Sequence, residues 1–205
     1  MPKVVDIETK RAQFVTASLD VIASEGLTAA TMRRIAAKAG VTTGAVTHYF
    51  PNREALLLES VRAAHYAAGA RMQQAVQQHL SAADRLEAVV LQALPLDAVR
   101  MREWKVWAAF RGALLGASEL WAANEAGYRN WRGYLEALLK PLCADADSVR
   151  REASLLIALV DGIGLRLASM AATAQQLQAE RDTMKGDVLA YLKGIARISP
   201  PSTLA

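Results

Sequence analysis

Apolar positions along this chain recur at threes and fours and nowhere alternate at twos, so the whole chain reads as helix. Residues 9–24 set Phe14, Ala17, Leu19, Val21 and Ile22 on one side, and Glu25-Gly26 ends them. A short helix follows Thr31, whose hydroxyl can accept from the free amides of a first turn. Ile35, Ala36 and Ala39 are its apolar face, with Leu27 and Ala30 packed beneath. Gly40 stops it, because glycine takes the left-handed conformation of a C-terminal cap. Val41 fills the corner. Thr42 or Thr43 caps a third helix running to about Tyr49, anchored inward by Val46. Pro51-Asn52-Arg53-Glu54 opens a long helix over 53–79, in which Leu56, Leu57, Ser60, Val61, Ala64, Ala68, Met72 and Val76 form one stripe.

Beyond it, Ser81 caps a helix with its body at 85–94, and Pro95 breaks it. Helices are predicted over 103–115, ended by Gly116, and over 119–140, ended before Pro141. A polar loop at 144–148 leads to a very apolar helix over 149–173. The last helix, 177–198, spaces Met184, Val188, Tyr191, Ile195 and Ile198 at four and three. The expected fold class is all-α with about nine helices. A three-helix N-terminal domain at 1–53, with residues 1–7 as a loose arm, precedes a larger helical domain at 54–198 and a disordered tail at 199–205.

Two short helices joined by a tight glycine-containing turn are the helix-turn-helix arrangement, whose second helix enters the DNA major groove. The second helix here has a surface fit for that. Gly44 and Ala45 are small enough for close approach, Thr43, Thr47 and His48 can bond bases or phosphates, and Tyr49 can reach a phosphate. A purely structural helix pair would carry larger apolar groups. Arg53 adds full charge at the start of the following helix, where free amides and the dipole already favour an anion. The candidate DNA contacts are Thr31, Arg33, Thr42, Thr43, Gly44, Thr47, His48, Tyr49 and Arg53.

Glu25-Gly26, Thr31, Ile35-Ala36, Ala39-Gly40-Val41, Gly44, Tyr49-Phe50 and Arg53-Glu54-Ala55-Leu56 together resemble the N-terminal domain of TetR-family transcriptional repressors, over roughly residues 8–57. Arg53 stands where that family usually has a lysine touching the DNA backbone. The resemblance implies a dimer formed through the last two long helices.

Composition narrows the picture. Hydrophobic residues make up 53% and charged residues 21% of the 205, the balance of a globular chain. The net charge of +4 permits nucleic-acid binding without proving it. Arg33, Arg34 and Lys38 cluster on the first helix of the motif, where they would lie across the DNA backbone. Cys143 is the single cysteine, so no intrachain disulfide forms, and it reads as an inert thiol. Residues 153–172 are the one candidate membrane span, but Asp161 and Arg166 interrupt them at high cost in a bilayer. No signal peptide is read, and a cytoplasmic protein is expected. His65 and His79 have no partners at metal spacing and are expected on the surface.

All four tryptophans fall between 104 and 131. Trp104, Trp107, Phe110 and Arg111 lie on one predicted helix, and Trp121, Asn124, Tyr128 and Trp131 on the next. Facing each other, they would line a small-molecule pocket with an apolar body and a few polar anchors, with Asp161 as a carboxylate nearby. Plain core packing is the alternative. Segments 94–97, 103–110 and 159–167 resemble the sensor domain of the TetR subgroup that includes the choline-responsive repressor of betaine synthesis. There, aromatics would hold a quaternary ammonium by cation–π attraction. Arg111 and Gly164 stand where that repressor has aromatic residues, and a cation beside the pocket favours an anionic ligand.

The helix 149–173 is apolar almost all round and must be covered on more than one side. Gly162 and Gly164 would admit a second helix backbone, and the last helix offers another apolar stripe. A homodimer through these two helices is expected, reading a pseudo-palindromic double-stranded DNA operator. No catalytic, phosphate-binding or metal-spacing motif is found, so neither enzyme chemistry nor a cofactor is expected. The leading reading is a repressor released from DNA by an unknown small-molecule effector. A ligand-independent regulator or activator, and a helical ligand carrier or enzyme, remain the alternatives.

Overall fold

The structure, a computed structural model, describes residues 7–78, 81–113 and 118–198, and among their side chains omits those of 112, 113, 118–121, 123, 124 and 196–198. Residues 1–6 of the expected N-terminal arm, the C-terminal tail, His79, and Gly116 as a helix stop lie outside these residues, while Ile7, expected in the arm, opens the first helix. Nine α-helices and no strand occur among the described residues: α1 Ile7–Glu25, α2 Met32–Lys38, α3 Thr43–Thr47, α4 Arg53–Gln77, α5 Ala82–Ala93, α6 Ala98–Ala113, α7 Ser118–Leu139, α8 Ala146–Ser169 and α9 Ala174–Ile198.

Local chemistry sets most of these boundaries. The hydroxyls of Thr31, Thr42 and Ser81 accept from the amides of Arg34, Ala45 and Asp84, so each caps the helix that follows. Gly26 and Gly40, at φ of +85° and +70°, make the left-handed turns that end α1 and α2. Several helices start earlier than the apolar pattern predicts, and in α6 and α8 a carboxylate is the reason. Asp97 accepts from the Arg100 amide at 2.8 Å and starts α6 at Ala98. Asp145 accepts from the Ser148 amide at 2.7 Å and draws the expected polar loop into α8. The third helix is shorter than expected, closing at Thr47.

The chain divides into two compact units, Met1–Ala67 with Arg102–Asn124, and Ala68–Met101 with Glu125–Ala205. Helices α4, α6 and α7 therefore each contribute residues to both. The core of the first unit gathers Phe14, Val21 and Ile22 of α1, Ile35 and Ala36 of α2, Val46 of α3, Phe50, and Leu56, Leu57 and Val61 of α4. Val106 and Phe110 of α6 belong to this same core. Asp20 of α1 and Arg102 of α6 add an ion pair at 2.6 Å.

In the second unit α9 packs against α5 and α8. Leu86, Val89 and Val90 of α5, Leu135 and Leu139 of α7, and Leu156, Val160 and Leu167 of α8 are buried there. The apolar stripe of α9 is buried within its own chain at Val188, Leu192 and Ile195. The Tyr191 hydroxyl donates to Glu152 Oε2 at 2.7 Å, tying α9 to α8. Burial and that bond hold the phenol's pKa well above its ordinary value. No helix of the described residues is long and apolar enough to cross a membrane.

Phe110, assigned to a pocket from the sequence, is 4% exposed within the core of the first unit. Phe110→Ala is expected to cost about 3–5 kcal/mol of stability by leaving a cavity. Urea unfolding followed by circular dichroism measures this, and a loss below about 1 kcal/mol contradicts the core assignment.

Candidate functional site

The helix-turn-helix of α2 and α3 turns one face inward and leaves the other open. Ile35, Ala36 and Val46 are fully buried, and Ala39 and Val41 pack beside them. Thr31, Arg33, Thr42, Gly44, Thr47 and His48 are exposed, while Thr43, Tyr49 and Arg53 are half-buried. The Thr31 and Thr42 hydroxyls accept from backbone amides at 3.2 and 3.3 Å, which leaves their own O–H groups able to donate. The Thr47 hydroxyl turns back on its helix and donates to the Gly44 carbonyl at 3.0 Å. Polar side chains with a small residue between them thus sit on the outward side of a short helix, the arrangement a major-groove reader needs.

Side chains from other helices hold this surface in place. Arg11 of α1 donates to the Tyr49 carbonyl at 2.8 Å, and its guanidinium lies 4.3 Å from the centre of the Phe50 ring. Gln13 donates to the Ala39 carbonyl at 3.2 Å. Phe14 meets Tyr49 edge-on at 5.4 Å. Arg53, expected at a phosphate, donates from Nε to the Ala30 carbonyl at 2.8 Å and from Nη2 to the Leu27 carbonyl at 2.7 Å. It therefore ties the α1–α2 turn to the start of α4. Its side chain is 32% exposed. Arg34 forms a forked pair with Glu25, whose carboxyl it holds below the usual range. That pair is exposed and adds little to stability. Arg11 and Gln13 were missed from the sequence. The one available signal was that Arg11 precedes Phe14 by three, on the same helical face.

The expected effector residues fall in both units. In the first, Trp104 is buried and Trp107 meets it edge-on at 5.4 Å. Arg111 lies 5.5 Å from the centre of the Trp104 ring. The indole Nε1 of Trp107 is buried and finds no acceptor among the described residues. His65 of α4, expected on the surface, is instead half-buried and stacks on Trp107 at 5.9 Å with the rings 17° apart. Burial pulls its pKa below the usual value, and the Arg111 charge adds to this against a bond to the Val61 backbone.

In the second unit, the Tyr128 hydroxyl donates to Asp161 at 2.5 Å, and Trp131 lies 6.4 Å from Tyr134. The side chains of Trp121 and Asn124 lie outside those described. Cys143 is half-buried, and burial pushes its thiol pKa up, which suppresses the reactive thiolate. No group of described His, Cys, Asp and Glu side chains is placed to hold a metal ion.

This fold and its outward-facing short helix define a helix-turn-helix DNA-binding regulator. Residues 14–60 match the family described as bacterial regulatory proteins, tetR family, and residues 82–193 match the BetI-type transcriptional repressor C-terminal family. The chain belongs to the TetR family of transcriptional regulators, with a C-terminal domain of the BetI type.

It is 29% identical over 200 residues to the regulator PksA of Bacillus subtilis, covering 95% of this chain and 94% of that protein. It is 31% identical over 182 residues to the regulator BetI of Serratia proteamaculans, covering 87% and 91%. A transcriptional regulator from Rhodococcus superposes with a TM-score of 0.74 at 30% identity, covering 88% of this chain and 96% of that one. A regulator from Saccharomonospora viridis in complex with choline superposes at 0.77 with 19% identity over 88% and 96%, a likeness of fold alone. The family and these relatives are transcriptional regulators, not enzymes.

Two measurements test the site as described. Arg53→Ala is expected to lower stability by about 1–3 kcal/mol, since two part-buried carbonyls lose charged donors, whereas a purely phosphate-contacting arginine leaves stability unchanged. His65 is harder to protonate folded than unfolded, so it favours folding above pH 6.5, the unfolded value, and this is lost as pH falls below it. Denaturant midpoints should therefore drop between about pH 7 and 5.5 in the native protein and drop less in His65→Phe, which keeps the stack. Equal slopes in the two proteins would refute the assignment.

Proposed function

We propose that the chain is a homodimeric, cytoplasmic repressor that holds a pseudo-palindromic operator and releases it when a small-molecule effector binds. The observation that carries this reading is the outward face of α3, with Thr43, Gly44, Thr47 and His48 presented by a helix whose opposite side is fixed by Val46. Within the reading, residues 1–53 are the DNA-binding part and 54–198 the sensing and dimerising part. Thr31, Arg33 and Tyr49 contact the backbone, and Thr43 and Thr47 read bases. Arg53 places this surface through its two carbonyl bonds, with its charge adding attraction to phosphate.

The dimer reading is supported by α8. Leu155, Ala158, Gly162, Leu165 and Ser169 follow one another at three and four residues and are all exposed, with the two leucines at 48% and 49%. A Cβ added at Gly162 would meet nothing within 4 Å, which leaves room for a second backbone. Val188, Leu192 and Ile195 of α9 are occupied by their own chain, so a partner would use the small exposed residues Ala179, Gly186 and Ala190 instead. The effector shifts the population toward a state whose reading helices no longer match successive grooves, weakening operator affinity by about 1–3 kcal/mol. The BetI-type match makes choline one candidate effector. Arg111 beside Trp104 opposes a cation at that part of the site.

A gel-shift series on the DNA upstream of the protein's own gene tests the reading. Tyr49→Ala should weaken binding to all sequences, and Thr43→Ala should change preference among them. Leu155→Arg with Leu165→Arg should give a monomer by sedimentation and abolish operator binding. No shift at low salt, or full operator affinity in that monomer, would sink the proposal.

A further inference from the structure

We infer that Trp107 and Arg111, with the ring of His65, form a subsite for the carboxylate of an organic acid, which would be the acidic head of the effector. The inference rests on the effector-released reading above and deepens it. Trp107 carries a buried indole N–H without an acceptor among the described residues. Buried donors are nearly always bonded, and leaving one unbonded costs stability, so an orphaned one marks a place for an acceptor from outside. Arg111 follows Trp107 by four residues on α6, one turn further along the same face. Its guanidinium lies over Trp104, beside the edge-on pair Trp104–Trp107. Indole and guanidinium both only donate, so the matching group is an acceptor, and the guanidinium's planar fork with a full positive charge selects a carboxylate over a neutral carbonyl.

His65 completes the subsite without competing for it. Its ring stacks on Trp107 with the planes 17° apart, which fixes the indole and hence the direction of its N–H. An apolar effector body would rest on the aromatic surface of Trp104, Trp107 and His65. The same three rings, taken without Arg111 and the indole N–H, resemble a site for a quaternary ammonium. The adjacent guanidinium opposes that preference, because a half-buried positive charge beside the rings repels a second cation.

The test is titration of the full-length protein by tryptophan fluorescence with hexanoate, decanoate and phenylacetate. Each acid is paired with its primary amide and its trimethylammonium analogue. At least one carboxylate should bind about tenfold or more tighter than its amide, with the ammonium compounds weakest. Trp107→Phe, which keeps the ring and loses the N–H, and Arg111→Met should each weaken that carboxylate about tenfold. Arg111→Glu should move the preference toward the ammonium analogue, a gain that misfolding cannot produce.

The inference is overturned if no carboxylate binds at millimolar concentration, if the ammonium analogues bind wild type tightest, or if Trp107→Phe and Arg111→Met both bind as wild type does. Operator gel shifts run in parallel separate the two readings. Carboxylate binding that follows these residues, in a protein that shifts no operator, supports the subsite and overturns only the repressor reading.

Discussion

A helix of five residues cannot hold itself. Isolated helices shorter than about a dozen residues are marginal in water, because the first turn fixes several residues for one hydrogen bond. The orientation of α3, Thr43–Thr47, is therefore imposed by its surroundings. Three constraints impose it. Val46 is fully buried in the core of the first unit. The chain leaving the helix is held at the Tyr49 carbonyl by Arg11, and the α1–α2 turn is held by Arg53 at the Leu27 and Ala30 carbonyls. Charged donors to backbone carbonyls are strong and directional, so they add a fixed orientation to what apolar packing holds. The placement of the outward face of α3 thus rests in part on two arginines bonded to backbone carbonyls.

The second dependence lies in α6. Arg102, Val106 and Phe110 recur at four-residue intervals and face α1 and the helix-turn-helix core, through the Asp20 ion pair and two buried side chains. Trp104, Trp107 and Arg111 lie around the same helix within the same unit. Packed interiors respond to added groups by discrete repacking, not by smooth deformation. A ligand that changes how Trp107 and Arg111 sit therefore acts on a helix whose other side is part of the DNA-binding core. Such a short route needs no chain of intermediates, since the element that would meet the effector also completes the hydrophobic core around α1, α2 and α3.

Much of what was encoded within a few residues was legible in the sequence. The caps at Thr31 and Ser81, the left-handed Gly40, the inward Val46 and the unbroken α4 all follow from local spacing and are found in place. The early starts of α6 and α8 were missed because Asp97 and Asp145 were read into connecting segments, although both are ordinary N-cap residues. The roles of Arg11 and Arg53 were not legible. Their acceptors are carbonyls 38, 23 and 26 residues away, and a carbonyl leaves no mark in a sequence. His65 was placed on the surface because it was judged as a ligand; its spacing of four from Val61 already put it on the buried side of α4.

The last two helices show why an apolar stripe does not by itself name its partner. In the sequence, Val188 and Ile195 suggested a surface for a second chain. In the fold, α5 and α8 consume that stripe, and what remains outward on α9 is polar, with the small residues Ala179, Gly186 and Ala190 set among exposed Gln, Asp and Lys side chains. A face of small residues contributes little apolar area per residue, so it associates only where backbones approach closely and a second helix supplies the bulk. On α8, Leu155 and Leu165 are that bulk, on either side of the open Gly162. The proposed dimer is then a division of labour between helices. Close approach comes from α9 and Gly162, burial from the two leucines, and neither surface would suffice alone. An interface of that kind fixes how the two chains are oriented more strictly than a flat apolar patch, and orientation is what a reader of two half-sites most needs from its partner.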